Sequence, residues 1–200
     1  MSEGGHTPDS AIRVLIAEDE AIIRRDLREI LEGEGYNVVG ECGRGDEAVE
    51  LARKLLPDVA ILDIMMPGID GLEAARRIST ERLAAPLILT AFSQREHITR
   101  ARDAGALAYL VKPFQPSDVI PAIEVALGRW AELQALHAQA ATLEERLETR
   151  KLLDRAKGKL MDNAGLSEQD AFRFVQRTAM AQRSTMKVVA EQVIAGELSP

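Results

Sequence analysis

The sequence predicts an α/β fold in which a doubly wound five-stranded parallel sheet is followed by a small all-α domain with a coiled-coil-like linker helix. Short apolar runs alternate five times with helical patterns between residues 12 and 128. These runs lack a polar–apolar alternation, which is typical of parallel strands covered by helices on both faces. After about residue 125 no strand signal is left. Right-handed crossovers make the sheet doubly wound.

The strand candidates are short and rich in Val, Ile and Leu. In chain order they are IRVLIA at 12–17, YNVVGEC at 36–42, DVAILD at 58–63, APLILTA at 85–91 and ALAYLV at 106–111. The third candidate is apolar from Val59 to Leu62 and then ends on Asp63. A buried carboxylate is costly unless it is paired, neutralised or bound to a metal, so Asp63 requires an explanation.

The helix candidates carry apolar residues three or four positions apart, and three of the five end at glycine or proline. They are AIIRRDLREILEGEG at 21–35, GDEAVELARKLLP at 45–57, PGIDGLEAARRIST at 67–80, SQREHITRARDAG at 93–105 and PSDVIPAIEVALGRW at 116–130. Asp46 and Ser117 are the residue types that cap helix N-termini, so each is predicted to cap its helix.

The C-terminal third of the sequence is predicted to be helical throughout. Residues 129–162 form one long alanine- and leucine-rich pattern, and a short coiled-coil seam steps along it by four, three and four residues. The seam consists of Leu136, Ala140, Leu143 and Leu147. Ser167 and Asp170 form a capping box before a second helix, and Gly196 closes a third. We predict a disordered tail at 1–11, the α/β domain at 12–128, a helical linker at 129–148 and the helical domain at 149–198.

Composition indicates an ordinary globular protein, with 46% hydrophobic and 28% charged residues. The net charge of −7 is uneven, because residues 149–187 hold nine basic and four acidic residues. No apolar run reaches the roughly 20 residues that span a bilayer, and residues 1–10 do not resemble a signal peptide. The single cysteine, Cys42, cannot form an internal disulfide, which fits a cytoplasmic protein.

Polar residues follow four of the predicted strands. They are Glu18, Asp19, Asp63, Thr90 and Lys112. Because the carboxyl ends of parallel strands meet at one edge of a sheet, these residues are expected to converge. Three converging carboxylates suit Mg²⁺, while Lys112 and Thr90 can bind phosphoryl oxygens, so Asp63 is a candidate nucleophile for phosphoryl transfer. The alternative is that Asp63 caps a loop, Lys112 is a surface charge and Glu18–Asp19 begin the next helix.

The order and spacing of AEDE, LDIMMPGIDG, LTA and YLVKPF resemble the receiver domain of two-component response regulators, which has a flavodoxin-like fold. The resemblance implies that a sensor histidine kinase phosphorylates Asp63. It implies that Glu18, Asp19 and Asp63 hold Mg²⁺ together with the backbone carbonyl of Met65. Many receivers have Asp where Glu18 stands, and the longer side chain could reach the metal through water. Such a protein is no enzyme beyond its own phosphorylation and dephosphorylation.

The same resemblance assigns three further roles. Thr90 and Lys112 would bind the phosphoryl oxygens, and Ala91 would leave room for the phosphate donor. Tyr109 would be an aromatic switch that follows Thr90 inward, although packing within its strand is an alternative. Lys112 precedes Pro113, and the isomer of that peptide bond stays open at this point.

Basic residues recur at helical spacing in the last 50 residues. Lys151, Arg155 and Lys159 are four apart, as are Arg173 and Arg177, and such ridges suit a phosphate-rich ligand. The motifs RAKGKLM, AF and RTAM resemble the ANTAR domain, which implies binding to RNA stem-loops in nascent transcripts and transcription antitermination. Arg150 and Lys157 are additional candidates.

Two alternatives to RNA binding stay open for the tail: DNA binding through a helix-turn-helix, and capture of a protein partner. The last predicted helix is mostly apolar, which suits base reading poorly. The short seam further predicts that phosphorylation promotes homodimerisation, because so small an interface is marginal by itself.

Overall fold

The computed structural model describes residues 11–91 and 95–200, and these divide into two compact units that meet in sequence at Leu133 and Gln134. The N-terminal unit contains one all-parallel sheet in the order β2-β1-β3-β4-β5. Its strands are β1 (Arg13–Ala17), β2 (Asn37–Cys42), β3 (Val59–Asp63), β4 (Ala85–Thr90) and β5 (Ala108–Val111). The predicted doubly wound sheet is therefore confirmed.

Helices cover both faces of this sheet. They are α1 (Ala21–Gly33), α2 (Gly45–Leu55), α3 (Gly71–Thr80), α4 (Arg95–Asp103) and the first part of α5 (Pro116–Ala164). One core packs α2 and α3 against residues such as Leu15 and Leu62, and the other packs α1 and α5 against residues such as Ile16 and Ile61. Every residue of β3 and β4 is buried, which explains why their sequences show no alternation.

Some details differ from the sequence-based predictions. Helix α5 begins at Pro116, so Ser117 lies inside its first turn and does not cap it; instead the Asp118 carboxylate accepts from the Gln115 N–H at 2.9 Å. Proline is favoured in a first helical turn because its missing N–H would have no helical partner there. Asp46 also lies inside a first turn, where it pairs with Arg44. Residues 1–10 of the tail predicted at 1–11 and the first two residues of the helix predicted at 93–105 lie outside the described residues.

The C-terminal unit is a small helical bundle. The end of α5 packs against α6 (Glu168–Gln182) and α7 (Met186–Ala195) around a core of small and branched side chains. This core contains Ala156, Leu160, Ala171, Val175, Ala179, Val189, Ala190 and Val193. Ser167 caps α6 by accepting from the Asp170 N–H, as predicted.

Between the two units, α5 continues without a break through the predicted boundary at residue 128. Almost every residue from 131 to 148 is exposed, including Leu136, Leu143 and Leu147 of the seam. Within the described chain, this is a stretch of helix whose apolar residues pack against no other element. No helix in the described part of the chain is both long and apolar enough to cross a bilayer.

Gly71 provides a stability test of the turn after β3. A Cβ atom built on Gly71 would lie 1.9 Å from the Asp63 carbonyl oxygen, and Asp63 belongs to a buried strand that cannot easily move. We expect Gly71→Ala to lower the free energy of unfolding by about 1–3 kcal/mol, as overpacking does. Urea unfolding followed by the fluorescence of Trp130, the only tryptophan in the sequence, would measure it.

Gly33→Ala is the matched control, because Gly33 ends α1 and a Cβ there would meet nothing within 4 Å. Alanine should be neutral or slightly stabilising at that helical position. Equal effects of the two substitutions would show that the close approach at Gly71 does not constrain the turn.

Candidate functional site

The structure brings the polar residues that follow the strands to the carboxyl edge of the sheet. Glu18 follows β1, Asp63 ends β3, Thr90 ends β4 and Lys112 follows β5. Glu18, Asp63 and Thr90 make up the buried polar side chains of the described chain, and the exposed fraction of Asp63 is only 4%. Buried polar groups on three neighbouring strands indicate a built site, because burial without a compensating interaction is unfavourable.

Lys112 is the cation that balances this edge. Its Nζ atom lies 2.6 Å from Glu18 Oε2, 2.9 Å from Asp63 Oδ1 and 4.0 Å from Glu20 Oε1. The Lys112 N–H donates to the Thr90 carbonyl at 2.7 Å, and the Lys112–Pro113 peptide bond is cis. The lysine thus bridges the ends of β1 and β3 while its backbone is joined to β4.

The two ionisable partners of Asp63 have shifted pKa values. Burial raises the pKa of Glu18, and the charge of Asp63 raises it further against the opposing effects of Lys112 and the Glu20 N–H. Burial acts to lower the pKa of Lys112, but its bonds to Asp63 and Glu18 outweigh this and raise it. Lys112 is therefore a permanent positive charge at neutral pH, held against acids that repel one another.

The donor set fits a hard divalent cation. Glu18, Asp19 and Asp63 each offer a carboxylate oxygen, and these oxygens lie within 4.8 Å of one another. Glu18 Oε2 is buried and is held at 2.6 Å from Lys112 Nζ, so the lysine keeps this carboxylate within the cluster. Mg²⁺ prefers oxygen ligands and commonly binds one or two carboxylates together with water and phosphate.

Asp63 is oriented by the loop that follows it. The Met65 N–H donates to Asp63 Oδ2 at 2.9 Å, while Lys112 holds Oδ1. The Met65 side chain points outward and is 69% exposed. Its backbone is thus beside the acidic cluster, as the predicted role of the Met65 carbonyl requires, although that role stays a prediction.

Tyr109 lies on β5 with 45% of its surface exposed, and the register pairs it with Ile88. It lines a groove of about 390 Å³ together with Pro121 and Val125 of α5. Thr90 is buried, so in this structure the Thr90 side chain is inside the protein while the Tyr109 ring is at the surface. The exposed Ala91 lines a separate groove of about 800 Å³ together with Glu20 and the mostly buried Lys112.

Two residues of this region were missed by sequence reasoning. Arg24 donates from Nη1 to the Glu18 carbonyl, and Glu20 donates its N–H to Glu18 Oε1 at 3.2 Å. One available signal was the position of Arg24 in the first turn of α1, where the helix dipole disfavours a cation.

The basic residues of the C-terminal unit have different environments. Lys151 is exposed and pairs with Glu148 at 2.9 Å, and Arg155 is exposed. Lys159 instead donates to the Ile194 carbonyl at 2.7 Å, near the C-terminal end of α7. Lys157 pairs with Asp154 within α5 and with Glu168 of α6, so one of its two ion pairs joins the helices. The predicted stripe is therefore not three equivalent surface cations.

Arg173 and Arg177 are exposed on α6. They line an open groove of about 580 Å³ together with Phe174 and Met180. Met180 is 71% exposed, and the nearest acid to Arg173 is Asp170 at 3.8 Å. Cations beside exposed apolar side chains can contact both phosphates and unstacked bases.

Each of the two units matches a known protein family. The response regulator receiver domain matches residues 14–124, and the ANTAR domain matches residues 141–194. The transcriptional regulatory protein PdtaR of Mycobacterium tuberculosis is 58% identical over 188 residues, covering 93% of this chain and 92% of that protein. The chemotaxis protein CheY of Thermotoga maritima is 40% identical over 112 residues, covering 56% of this chain and 93% of that protein.

Solved structures agree with the receiver assignment. The receiver domain of a modulated diguanylate cyclase from Desulfovibrio desulfuricans is 34% identical, with a TM-score of 0.57, and its match covers 61% of this chain and 98% of that one. The receiver domain of NarL from Mycobacterium tuberculosis is 30% identical with the same TM-score of 0.57, covering 60% and 98%. The chain therefore belongs to the two-component response regulators, with an N-terminal receiver domain and a C-terminal ANTAR domain.

Proposed function

We propose that a sensor histidine kinase phosphorylates this protein on Asp63, and that phosphorylation switches an RNA-binding output that acts in transcription antitermination. The observation that carries the proposal is the buried Asp63 carboxylate, held between Lys112 and the Met65 N–H beside two further acids. The match to the ANTAR domain supports the output. We also propose that the protein is cytoplasmic, because the proposed partners, a kinase and nascent transcripts, are accessible in the cytoplasm.

The proposed transfer uses a carboxylate oxygen of Asp63 as the nucleophile. That oxygen forms a bond to phosphorus while the P–N bond of the kinase phosphohistidine breaks, and the electron pair leaves on the imidazole nitrogen. Lys112 and the Thr90 hydroxyl then stabilise the phosphoryl oxygens. Mg²⁺ held by Glu18, Asp19, Asp63 and the Met65 carbonyl would supply further positive charge to those oxygens. A related CheY from Borrelia burgdorferi, 25% identical with a TM-score of 0.53 over 56% of this chain and 86% of that one, was solved in a complex containing BeF₃ and Mg²⁺.

The proposal predicts that phosphate is taken up on Asp63 and requires a divalent cation. Incubation with acetyl phosphate should add one phosphoryl mass in the presence of Mg²⁺ and none after chelation, as measured by intact-protein mass spectrometry. Asp63→Asn should gain no mass. Asp103→Asn is the matched control, because Asp103 is an exposed acid that pairs with the neighbouring Arg102. Labelling of Asp63→Asn equal to wild type, or labelling without metal, would contradict the assignment.

We propose that α6 provides the main RNA contacts, through Arg173 and Arg177. Both are exposed beside Phe174 and Met180, whereas Lys157 and Lys159 are engaged in contacts within the bundle. The structure also bears on the alternative of DNA binding. Helix α7 has the mostly apolar sequence MKVVAEQVIA with Lys187 as its one basic residue, so it offers few groups for reading bases.

Loss of either arginine should weaken RNA binding and make the RNA affinity less dependent on salt concentration. For Arg173→Ala and Arg177→Ala, the slope of log affinity against log salt should flatten by roughly 0.7–0.9 for each lost phosphate contact. Filter binding of the phosphorylated protein to a stem-loop RNA at several salt concentrations would measure this. Arg25→Ala, which removes the same charge from an exposed side chain of α1, is the control. Tighter binding to duplex DNA than to stem-loop RNA of equal charge would favour the alternative output.

We propose that phosphorylation promotes a homodimer through the exposed seam of α5. Light scattering should show a larger mass after phosphorylation, and Leu143→Glu should abolish this increase because it places charge in the seam. Ala141→Glu introduces the same charge beside the seam and should dimerise like wild type. A mass that is independent of phosphorylation would show that the seam is not the switched interface.

A further inference from the structure

Arg24 joins helix α1 to the turn that carries two of the three acids. Its Nη1 atom donates to the Glu18 backbone carbonyl, and its side chain is half-buried. A methyl group built on Gly43 would lie 3.5 Å from Asp19 Cα and 3.6 Å from Arg24 Nη1. The guanidinium therefore lies alongside the backbone of both Glu18 and Asp19.

Besides the bond of the Glu20 N–H to Glu18 Oε1 and the ion pairs of Lys112, the turn from Glu18 to Glu20 has few attachments to the rest of the fold. The Glu18 N–H donates to the Cys42 carbonyl at 3.0 Å, which fixes the turn on the side of β2. Glu20 is the N-cap of α1, but its side chain makes no capping hydrogen bond. The bond from Arg24 consequently fixes the Glu18 carbonyl, and with it the peptide plane from which Asp19 projects.

Helix stability does not account for the position of Arg24. It lies in the first turn of α1, where the macrodipole disfavours a positive charge, and it forms no ion pair with the acidic N-cap residue Glu20. The neighbouring Arg25 pairs with Glu29 on the helix surface, which is the usual arrangement for such a residue. The inward reach of Arg24 is better explained by what it touches.

We propose that Arg24 is a positioning residue for the acidic cluster: by holding the Glu18 carbonyl, it directs the Glu18 and Asp19 carboxylates toward Asp63 and thereby sets the affinity for Mg²⁺. This inference rests on the proposed phosphorylation site. Groups that orient metal ligands typically contribute a factor of 10–100 in metal affinity, so the effect should be measurable without any phosphoryl transfer.

A purely electrostatic role predicts the opposite sign. The guanidinium places a positive charge close to Glu18 and Asp19, so its removal alone would make the site more negative and would tighten cation binding. If Arg24 positions the ligands, its removal weakens binding despite the favourable change in charge. The direction of the change in affinity therefore separates the two roles.

The test is a Mn²⁺ titration of the full-length, unphosphorylated chain, in which electron paramagnetic resonance measures the free ion. We expect Arg24→Met to raise the dissociation constant for Mn²⁺ by roughly 10-fold. Arg25→Met, which removes the same charge from the neighbouring exposed position, should leave it within about twofold of wild type because surface charges are screened. Arg24→Lys retains a donor and should recover part of the affinity. Saturating Mg²⁺ should restore the labelling of Asp63 in Arg24→Met.

Each outcome has a distinct meaning. Unchanged or tighter Mn²⁺ binding by Arg24→Met would overturn the role of Arg24 while leaving the phosphorylation site intact. Failure of the wild-type protein to bind Mn²⁺ would instead overturn the metal site itself. If Arg24→Met does not fold, Arg24→Lys decides: weaker binding than that of Arg25→Lys supports the inference, and equal binding refutes it.

Discussion

The N-terminal unit is organised around the ion pairs of Lys112 with Glu18 and Asp63. Two nearly inaccessible carboxylates lie at the end of an apolar sheet, and burying such charges is unfavourable unless they are closely paired. The sheet order places β3 between β1 and β4, so the ends of three adjacent strands supply Glu18, Asp63 and Thr90. Parallel topology is what brings these ends together, and the turn at Gly71 must then pass close to the Asp63 carbonyl.

This arrangement holds more negative than positive charge. Lys112 neutralises part of it, but burial and the charge of Asp63 still raise the pKa of Glu18. A site with surplus acid favours a divalent cation, and an incoming phosphoryl group can share that cation and Lys112. Burying these carboxylates is unfavourable for folding, so stability alone would not favour the cluster. We attribute its presence to the chemistry that we propose for Asp63.

The sequence predicted the sheet, its helices and the residues of the acidic cluster, because periodicity and strand-end position depend on local patterns and on parallel topology. It did not predict contacts that depend on how the elements pack. Arg24 is one such contact, since only the fold brings its guanidinium to the Glu18 carbonyl. Lys159 is another: four-residue spacing places it on a face with Arg155, but packing of α7 decides that its ammonium meets the Ile194 carbonyl. At Ser117, the tendency to cap was overridden by Pro116.

The exposed part of α5 has energetics suited to a switch. The seam leaves Leu136, Leu143 and Leu147 largely exposed, so burying them can drive association. Fully burying one leucine contributes about 1.5–3 kcal/mol, so two copies of the seam would gain on the order of 10 kcal/mol. Association costs an estimated 4–15 kcal/mol in lost freedom, which is of the same size. The gain and the cost overlap in size, so a bias of a few kcal/mol from the receiver domain would be enough to decide whether the seams pair.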